Sequence, residues 1–474
     1  MALSSTVPKW DENKFHDNIS KSSMYNWRDT VMIITGGSKG IGAHIIRFGL
    51  EEGVKKVMNL DTDEKNGLAL QYELNHRYGE KDKVKFINCD VTVEEHLIEE
   101  YQSILGDKDK NFIVINNADL LNDDLSDEQL DEEIDTAKNV LVTSNLTALE
   151  LMRTDNNGKG GTIINIAPAA VLCTTPSTPE NIATKHAIIT LSIGLGNDEF
   201  FRKTGVRVLT VCCGARDAGY NVVSERESEP TRKLSTSMPP ICHQCPRTAA
   251  QAIMEIYKHG SSGSIWVTKE GKPNEDITSI IKKSYRVYDL LRSSSVVSVS
   301  QLVLNMFEIR DKIFFVTGAA AGIGAAMVKA FLDEGAKHIA ALDVDITKGR
   351  ALEQELNTKY GENKVRFHKC DVTTNELDAV YDNVVNDFGY IDVVINCAGI
   401  MNDRPNVYLK EIDINVTALI KSSFKAFDLM RKDHGGRGGT IINISSIVGL
   451  FQAHLLPVYT ATKSAVLQFS NCLG

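Results

Sequence analysis

The chain has 474 residues, of which 42% are hydrophobic and 24% charged, a balance typical of a folded protein with more than one domain. Its formal net charge is −10, which argues against nucleic acid and anionic membrane surfaces as partners. No stretch has the roughly eighteen apolar residues that cross a membrane, and residues 1–30 lack the apolar core of a secretory signal. We therefore expect a cytoplasmic protein with no nucleic-acid partner and no integral membrane segment.

Nine cysteines are present, an odd number that suits a reducing compartment better than a disulfide framework. Cys242 and Cys245 form one CxxC pair, and the sequence has no second pair to complete a zinc site. The eleven histidines show no ligand spacing. Two ordinary thiols in a loop are favoured over a metal or redox role, and we expect no metal site.

Long segments of the chain recur after about 280 residues, a period far too long for a solenoid unit. Residues 27–42 (WRDTVMIITGGSKGIG) recur as 309–324 (IRDKIFFVTGAAAGIG), and residues 158–166 recur as 436–444. The recurrence indicates a duplicated domain. The expected division is a polar N-terminal extension (1–23), a first copy (24–283), a linker (284–305) and a second copy (306–474). The apolar half of the linker could instead be a packed helix.

Apolar runs alternate with amphipathic stretches of helical length in each copy. The predicted strands of the second copy are 313–318, 338–343, 365–372, 391–396 and 439–445, and the predicted helices between the first four are 325–335, 348–361 and 375–389. The first copy continues with a sixth strand (205–215), a helix (248–260) and a seventh strand (263–272). The pattern predicts an α/β fold of two tandem Rossmann-like domains, each a doubly wound parallel sheet with its ligand site at the carboxyl ends of the strands.

A glycine-rich turn follows the first predicted strand of each copy. Its glycines are Gly36, Gly40 and Gly42 in the first copy and Gly318, Gly322 and Gly324 in the second. Glycine lets the backbone turn tightly and approach a pyrophosphate, which then lies at the N-terminus of the following helix. The strand–turn–helix context favours a dinucleotide site over a tight turn without a ligand.

The second strand of each copy ends in an aspartate, Asp61 or Asp343. A carboxylate there can accept hydrogen bonds from a free ribose diol and repels a 2′-phosphate, so NAD is favoured over NADP. Lys39 in the first glycine turn is a conflicting signal, because a base there could tolerate the phosphate. The second copy has Ala321 at that place. Each aspartate could alternatively be the N-cap of the next helix.

The second copy contains the turn 317–324, Asp371 and Val372, the motif Asn396-Cys397-Ala398-Gly399, and the set Asn415, Ser446, Tyr459 and Lys463. Through these residues it resembles the short-chain dehydrogenase/reductase family. The resemblance covers residues 24–283 and 306–474, nearly the whole chain. It implies that Ile323, Asp371, Val372, Asn396, Ala398 and Gly399 help to bind the cofactor, as Asp90 and Asn116 would in the first copy.

The resemblance implies an NAD-dependent oxidoreductase that interconverts a secondary alcohol and its ketone by hydride transfer. Tyr459 would be the acid/base. The reference pKa of tyrosine is about 10, and a lysine four residues along, on the same helix face, favours the phenolate. Lys463 would have this role and would also hold the nicotinamide ribose. Ser446 would orient the substrate oxygen, and Asn415 would hold a water that extends the proton path.

The first copy lacks most of this set. Its residues at the positions of Asn415, Ser446, Tyr459 and Lys463 are Ala137, Pro168, Asn181 and Lys185, and Asp119 replaces the last glycine of the Asn-x-Ala-Gly motif. We expect the first copy to be catalytically inactive. It could still bind a dinucleotide through its glycine turn, Asp61, Asp90 and Asn116.

The two copies also end differently. The end of the first copy resembles insect-type alcohol dehydrogenases and NAD-dependent fifteen-hydroxyprostaglandin dehydrogenases. In the second copy only residues 464–474 follow Lys463, so its C-terminal third, with the loop that chooses the substrate, is expected to be missing. A fragment of a longer chain is favoured over a natural product that ends here.

Two kinds of partner follow from the resemblance: a small-molecule alcohol or ketone, and a second domain of the same fold. Family members associate through two long helices that flank the active site, so we expect a homo-oligomer or an intramolecular pseudo-dimer of the two copies. The alternative function is that of a catalytically silent dinucleotide-binding or scaffolding pseudoenzyme that partners other dehydrogenase subunits.

Overall fold

The computed structural model describes residues 25–107, 110–118, 142–172, 179–214, 244–284, 308–404, 406–450 and 455–473. Several sequence predictions concern positions outside these residues. They are the linker beyond residue 284, most of the loop 217–245 with Cys242, and the replacements Ala137 and Asp119.

The first copy contains an eight-stranded sheet. Its strands are β1 (Val31–Thr35), β2 (Lys56–Asp61), β3 (Val84–Asn88), β4 (Phe112–Asn116), β5 (Gly161–Pro168), β6 (Val206–Cys213), β7 (Ser264–Thr268) and β8 (Glu275–Asp276). They lie in the order β3-β2-β1-β4-β5-β6-β7-β8. Every neighbouring pair is parallel except β7 and β8, which are antiparallel.

The second copy repeats the first five strands of this pattern. Its strands are β9 (Ile313–Thr317), β10 (His338–Asp343), β11 (Val365–Lys369), β12 (Val393–Asn396) and β13 (Thr440–Asn443). They form a parallel sheet in the order β11-β10-β9-β12-β13, with β13 at one edge. The predicted fold class, two tandem α/β domains with parallel sheets, is therefore confirmed.

Helices connect the strands in both copies. Those described in the first copy are α1 (Gly40–Glu51), α2 (Glu64–Tyr78), α3 (Glu94–Leu105), α4 (Ser144–Met152), α5 (Pro179–Leu195), α6 (Asp198–Thr204), α7 (Pro246–His259) and α8 (Thr278–Ser284). Those described in the second copy are α9 (Gly322–Asp333), α10 (Ile346–Tyr360), α11 (Glu376–Phe388), α12 (Tyr408–Ile412), α13 (Ala418–Met430) and α14 (Pro457–Leu473). None of the described helices is long and apolar enough to cross a membrane.

The central strands are apolar on both faces because helices cover both faces of each sheet. All five residues of β1 and all five of β9 are buried. The order of strands reverses between β1 and β4, and again between β9 and β12. Ligands of open parallel sheets bind at such a reversal, outside the carboxyl ends of the strands, and the predicted cofactor residues of each copy lie at or near its reversal.

Some element bounds differ from those predicted. Strand β11 ends at Lys369 rather than at residue 372, because Asp371 turns the chain by accepting hydrogen bonds from the N–H and hydroxyl of Thr373. Helix α9 begins at Gly322 rather than at residue 325, so the glycine turn supplies its first helical turn. The two-residue strand β8 has no counterpart among the predicted elements.

Helix α5 of the first copy packs against helix α14 of the second. Ile182, near the start of α5, contacts Cys472 near the end of α14. At the opposite end, a Cβ atom built on Gly194 would lie 3.1 Å from Cβ of Pro457. The two helices are therefore antiparallel.

The interface between α5 and α14 is mostly apolar. Leu191, Val458, Ala465 and Phe469 belong to one buried cluster that contains residues of both copies. Ala187 and Leu191 of α5 line a small cavity together with Ala465. The second copy therefore buries part of its apolar surface against the first.

The interface predicts a large effect of a buried charge at Ala465, which is 1% exposed. We expect Ala465→Glu to lower the free energy of unfolding by about 2 kcal/mol or more, because a carboxylate would be buried without a partner. The matched control is Ala351→Glu, on the exposed face of α10. Urea unfolding of both variants measures the difference, and equal midpoints would contradict the described packing.

Candidate active site

The glycine turn of the second copy requires glycine for two different reasons. Gly318 has a φ of +66° and Gly322 a φ of +54°, in the left-handed region that favours glycine. A Cβ on Gly318 would lie 2.8 Å from Cα of Ala398, and a Cβ on Gly324 would lie 2.1 Å from the carbonyl oxygen of Gly318. The turn therefore touches the segment that follows β12, and helix α9 touches the turn.

A threonine hydroxyl stabilises this close contact between the glycine turn and the segment after β12. Oγ1 of Thr317 accepts hydrogen bonds from the N–H groups of Cys397, at 3.0 Å, and Ala398, at 3.1 Å. Thr35 of the first copy accepts the equivalent bonds from residues 117 and 118, both at 3.1 Å. Both copies therefore keep the ends of their first and fourth strands together at the reversal of strand order.

Helices α1 and α9 begin without a capping side chain or an acidic residue in the first turn. The helices that follow β2 and β10 differ, since Asp63 and Asp345 cap them by accepting from the N–H groups of Asn66 and Lys348. The uncapped N–H groups and the positive end of the helix dipole suit a phosphate. The residues present therefore fit the pyrophosphate of a dinucleotide.

The two turns differ in the exposure of one apolar side chain. Ile323 of the second copy is 65% exposed, whereas Ile41, at the same place in the first copy, is 5% exposed. Helix α7 packs against α1 in the first copy, and Ile41 belongs to the buried cluster that the two helices share. A ligand can therefore contact Ile323, whereas Ile41 is inaccessible.

Asp343 binds the glycine turn. Its Oδ2 accepts from the N–H of Ala320 at 2.9 Å, and its Oδ1 accepts from the N–H of Asp345 at 3.0 Å. Asp61 makes the equivalent bonds to Ser38 and Asp63. The N-caps of α2 and α10 are Asp63 and Asp345, so the alternative that Asp61 and Asp343 are themselves the caps is wrong.

Lys39 forms an ion pair with Asp63, with 3.2 Å between Nζ and Oδ2. The sequence had suggested that this base could tolerate a 2′-phosphate in the first copy. Its charge is instead next to a carboxylate, on a side chain that is 74% exposed. The second copy has Ala321 at this position, so its glycine turn has no basic side chain that could offset the negative charge of Asp343.

Asp371 and Asp90 shape the turns that follow the third strand of each copy. Oδ1 of Asp371 accepts from the N–H and hydroxyl of Thr373, and Asp90 binds Thr92 in the same way. The hydrogen bond from Thr373 lowers the pKa of Asp371. Val372 is partly exposed beside it. A contact of these residues with a cofactor stays a prediction.

Asn396 belongs to a buried polar network. Its Nδ2 donates to Asn443 at 2.8 Å and to Ser423 at 3.0 Å, and its Oδ1 accepts from Ser422 at 2.6 Å. Asn116 is in the same position in the first copy, bound to Asn165 and Ser144. Through these hydrogen bonds both asparagines stabilise the fold. A contact of either side chain with a cofactor stays a prediction.

Tyr459 and Lys463 lie one helical turn apart on α14. Nζ of Lys463 is 5.9 Å from the centroid of the Tyr459 ring and donates a hydrogen bond to the carbonyl of Ile444 at 3.1 Å. Lys463 is buried, and burial lowers its pKa. Tyr459 is partly exposed. The lysine is thus a buried cation beneath a phenol that a ligand can reach.

Asn415 is fully buried and lies in a π-helical turn, Asp413–Thr417, that joins α12 to α13 in one continuous helical stretch. Its Nδ2 donates to the carbonyl of Ile400 at 2.8 Å and to Thr462 at 3.2 Å. A Cβ on Gly399 would lie 3.1 Å from Oδ1 of Asn415 and 3.3 Å from Nζ of Lys463. The structure therefore brings Gly399, Asn415 and Lys463 together. Such π-helical turns occur often at functional sites.

Ser446 follows β13 and is partly exposed. Its Oγ accepts a weak hydrogen bond from the N–H of Val448 at 3.4 Å. The neighbouring Ser445 donates to the carbonyl of Lys463 at 2.7 Å, and a Cβ on Gly449 would lie only 2.8 Å from the same carbonyl oxygen. These contacts dock the segment that carries Ser446 against α14.

Two carboxyl groups at the start of α14 were not predicted. Asp403 accepts from the N–H groups of Val458, at 2.7 Å, and Tyr459, at 3.1 Å. Glu411 is fully buried, and its carboxyl lies close enough to that of Asp403 for the two groups to interact. Burial, followed by the charge of Asp403, raises the pKa of Glu411 to about 7. Neither residue belongs to a sequence pattern, because their contact arises only when the chain folds.

The first copy keeps the framework of the site without its chemical groups. Helices α5 and α14 both have 17 residues, and Lys185 lies buried where α14 has Lys463. Strand β5 ends at Pro168, and the backbone of residue 181 lies in α5. Nδ2 of Asn117 donates to the carbonyls of Thr35 and Gly36, which further fastens the glycine turn.

The described cysteines and histidines show no metal centre. Within the described ranges, no group of three or more histidine, cysteine or acidic side chains could hold a metal ion. Cys245 is exposed, while Cys242, the other half of the CxxC pair, lies outside the part of the chain that the structure describes.

Comparison with known proteins matches both copies to one family. Residues 30–229 and 312–474 match the short chain dehydrogenase profile. The NAD(+) 15-hydroxyprostaglandin dehydrogenases of Homo sapiens and Macaca fascicularis are each 36% identical over 164 residues, which is 34% of this chain and 60% of each relative. Alcohol dehydrogenase 1 of Ceratitis capitata is 41% identical over 122 residues, 26% of this chain and 46% of that relative. The matches thus span at most 60% of the length of these relatives.

The glycine turn predicts unequal effects of two alanine substitutions. Gly324→Ala should lower the free energy of unfolding by about 2 kcal/mol or more, because its Cβ would collide with a backbone oxygen. Gly322→Ala meets no atom within 4 Å and should cost about 1 kcal/mol through its left-handed backbone alone. Urea unfolding measures both, and the reverse order would contradict the described turn.

Proposed function

Since the chain belongs to the short-chain dehydrogenase family, we propose that its second copy interconverts a secondary alcohol and its ketone with NAD as the hydride carrier. The observation that carries the proposal is the placement of Tyr459 above the buried Lys463, beside Gly399 and Asn415, at the carboxyl end of the sheet. The reversal of strand order, where such sheets bind dinucleotides, lies at the same end.

The residues that would hold the cofactor form two groups. Gly318, Gly322 and Gly324 with the uncapped start of α9 suit its pyrophosphate, and Asp343 suits a free ribose diol and disfavours a 2′-phosphate. NAD, when bound, accepts or supplies the hydride. Two relatives with NAD(+) in their names match the chain, which supports the same choice of cofactor.

Tyr459 would transfer the proton. As the alcohol is oxidised, its hydroxyl proton must go to a base, and the phenol oxygen of Tyr459 is the partly exposed group that can take it. A positive charge favours an anionic phenolate over a neutral phenol, and Lys463 supplies one from one helical turn away. In the reverse direction the phenol returns the proton to the carbonyl oxygen.

Ser446 and Asn415 would assist this proton transfer in two different ways. The hydroxyl of Ser446 would donate a hydrogen bond to the substrate oxygen and so orient it toward Tyr459. Asn415 binds the backbone of Ile400 and the side chain of Thr462, and we assign to it a water that extends the proton path from Lys463.

The surroundings of the site support an apolar alcohol as substrate. Met401 follows Gly399 along the chain, Ile447 follows Ser446, and Leu455 precedes α14, and all three side chains are exposed. Exposed apolar side chains around a polar centre are typical of small-molecule sites. The relatives are named for an alcohol and for a hydroxyl-bearing prostaglandin, in agreement with this class.

The first copy would serve as a non-catalytic partner of the second. It has Pro168 in place of Ser446 and Asn181 in place of Tyr459, and neither can transfer the proton. Its α5 packs against α14, so the two copies would form a pseudo-dimer within one chain. Its uncapped α1 and its glycine turn favour retained dinucleotide binding. The same two features favour the alternative function, a silent scaffolding role.

The proposal predicts that Tyr459→Phe abolishes turnover. We expect NADH formation from a secondary alcohol and NAD to fall by a factor of about 10³ or more, because the proton acceptor is lost, while NADH binding persists. NADH absorbance follows turnover, and quenching of protein fluorescence follows binding. NADP in place of NAD should give a much weaker rate.

The matched control is Tyr390→Phe, since the ring of Tyr390 packs against Arg437 away from the site. This variant should keep the wild-type rate. Equal rates for Tyr459→Phe and the wild type would exclude the proposed mechanism, and a silent chain that binds NADH would support the scaffolding role.

A further inference from the structure

Two acidic side chains meet at the N-terminus of α14. Asp403 comes from the loop after β12, and each of its oxygens accepts a backbone N–H, from Val458 or Tyr459. Glu411 comes from α12, which packs against α14. Its Oε1 accepts from the N–H of Asn402 at 3.1 Å. The pair thus lies between the loop, α12 and the first turn of α14.

A hydrogen bond between two carboxyl groups requires a proton, because two carboxylates can only accept. Both oxygens of Asp403 already accept N–H groups, a use that favours the ionised form. Oε2 of Glu411 is buried and has no N–H or hydroxyl donor. It is therefore the atom on which a proton satisfies an otherwise unpaired buried oxygen.

We infer that Glu411 is a positioning residue of the second copy. It donates a hydrogen bond to Asp403, which holds Asp403 on the N–H groups of Val458 and Tyr459 and so fixes the first turn of α14. Tyr459 belongs to that turn, so Glu411 sets the position of the phenol without touching the substrate. The consequence for turnover rests on the proposed function, whereas the hydrogen bond does not.

The charges around the pair come from few groups. Asp403 and Lys463 are the charged neighbours that act on Glu411. Lys410, next to Glu411 on α12, acts on Asp371. Arg404, in the loop after β12, is exposed, and Asp413 lies in the turn that follows α12. Burial raises the pKa of Asp403 as well. Among the described residues, Lys463 is thus the cation that acts on Glu411, and its charge favours the ionised carboxylate.

The direction of the pH effect follows from this arrangement. In the unfolded chain Glu411 loses its proton near the ordinary glutamate pKa of about 4.3, whereas in the folded chain it does so at about 7. The stabilisation is complete below the unfolded value and is lost as the pH rises through the folded value. Above the folded pKa, Glu411 and Asp403 are both carboxylates and repel each other at the start of α14.

Stability against pH tests the hydrogen bond without any assay of activity. Urea unfolding midpoints of the full chain are measured between pH 5 and pH 8 for the wild type, Glu411→Gln and the exposed control Glu362→Gln. A glutamine can donate to Asp403 but cannot ionise. We expect Glu411→Gln to gain stability relative to the wild type as the pH rises, and Glu362→Gln to follow the wild type. A Glu411→Gln profile parallel to that of the wild type would overturn the inference.

Rates then test the positioning. Glu411→Met keeps the volume but cannot donate, and we expect a kcat lower by a factor of roughly ten or more, since a displaced catalytic group costs rate steeply, with KM for NAD unchanged. Glu411→Gln should recover most of that loss. We also expect the wild-type rate to fall as Glu411 ionises near pH 7, and Glu411→Gln should not show this fall. An unchanged kcat in Glu411→Met would contradict the positioning role. A wild type without turnover would contradict the proposed function, and the stability profiles would still decide on the pair.

Discussion

The packing of α14 on two sides is the constraint on which the candidate site depends. On one side the helix meets the segment after β13, where Ser445 binds the carbonyl of Lys463 and Gly449 leaves no room for a side chain. On the other side it meets α5, where Thr190 donates to Ser464 at 3.0 Å within the apolar interface. Tyr459 and Lys463 both belong to this helix, so residues of both copies fix their positions.

The two copies separate the framework of the fold from its chemistry. Both retain a threonine at the end of the first strand, glycines in the following turn and an asparagine in a buried polar network. These groups stabilise any sheet of this kind, because an unpaired buried polar group is costly. Ser446 and Tyr459 make few bonds that the fold needs, and the first copy has lost their equivalents while its framework remains.

Local sequence was enough to predict the framework. Buried strands, glycine turns and the recurrence of whole segments are properties of short stretches, and most predicted strands and helices agree with the structure to within a few residues. The spacing of Tyr459 and Lys463 also needed only helix geometry. The π-helical geometry at Asn415 did not follow, because its side chain binds Ile400 and Thr462 from other parts of the chain.

Contacts between distant segments could not be predicted in the same way. Asp403 and Glu411 look like ordinary surface acids in the sequence, and only the packing of α12 against α14 buries one and makes the other a helix cap. The choice between Asp61 and Asp63 as N-cap depended on the backbone path after β2. Ile41 and Ile323 occupy the same motif position, yet α7 packs against α1 in one copy and leaves them in different surroundings.

The central claim is that only the second copy catalyses the reaction. Its most direct test compares Lys463, the buried lysine of the second copy, with Lys185, the equivalent lysine of the first. Lys463→Met and Lys185→Met remove the same charge from the same position of α14 and α5. NADH formation from a secondary alcohol is measured for both variants and the wild type. We expect Lys463→Met to lose turnover and Lys185→Met to keep it. Loss of turnover in Lys185→Met, with full activity in Lys463→Met, would contradict the assignment of the chemistry to the second copy.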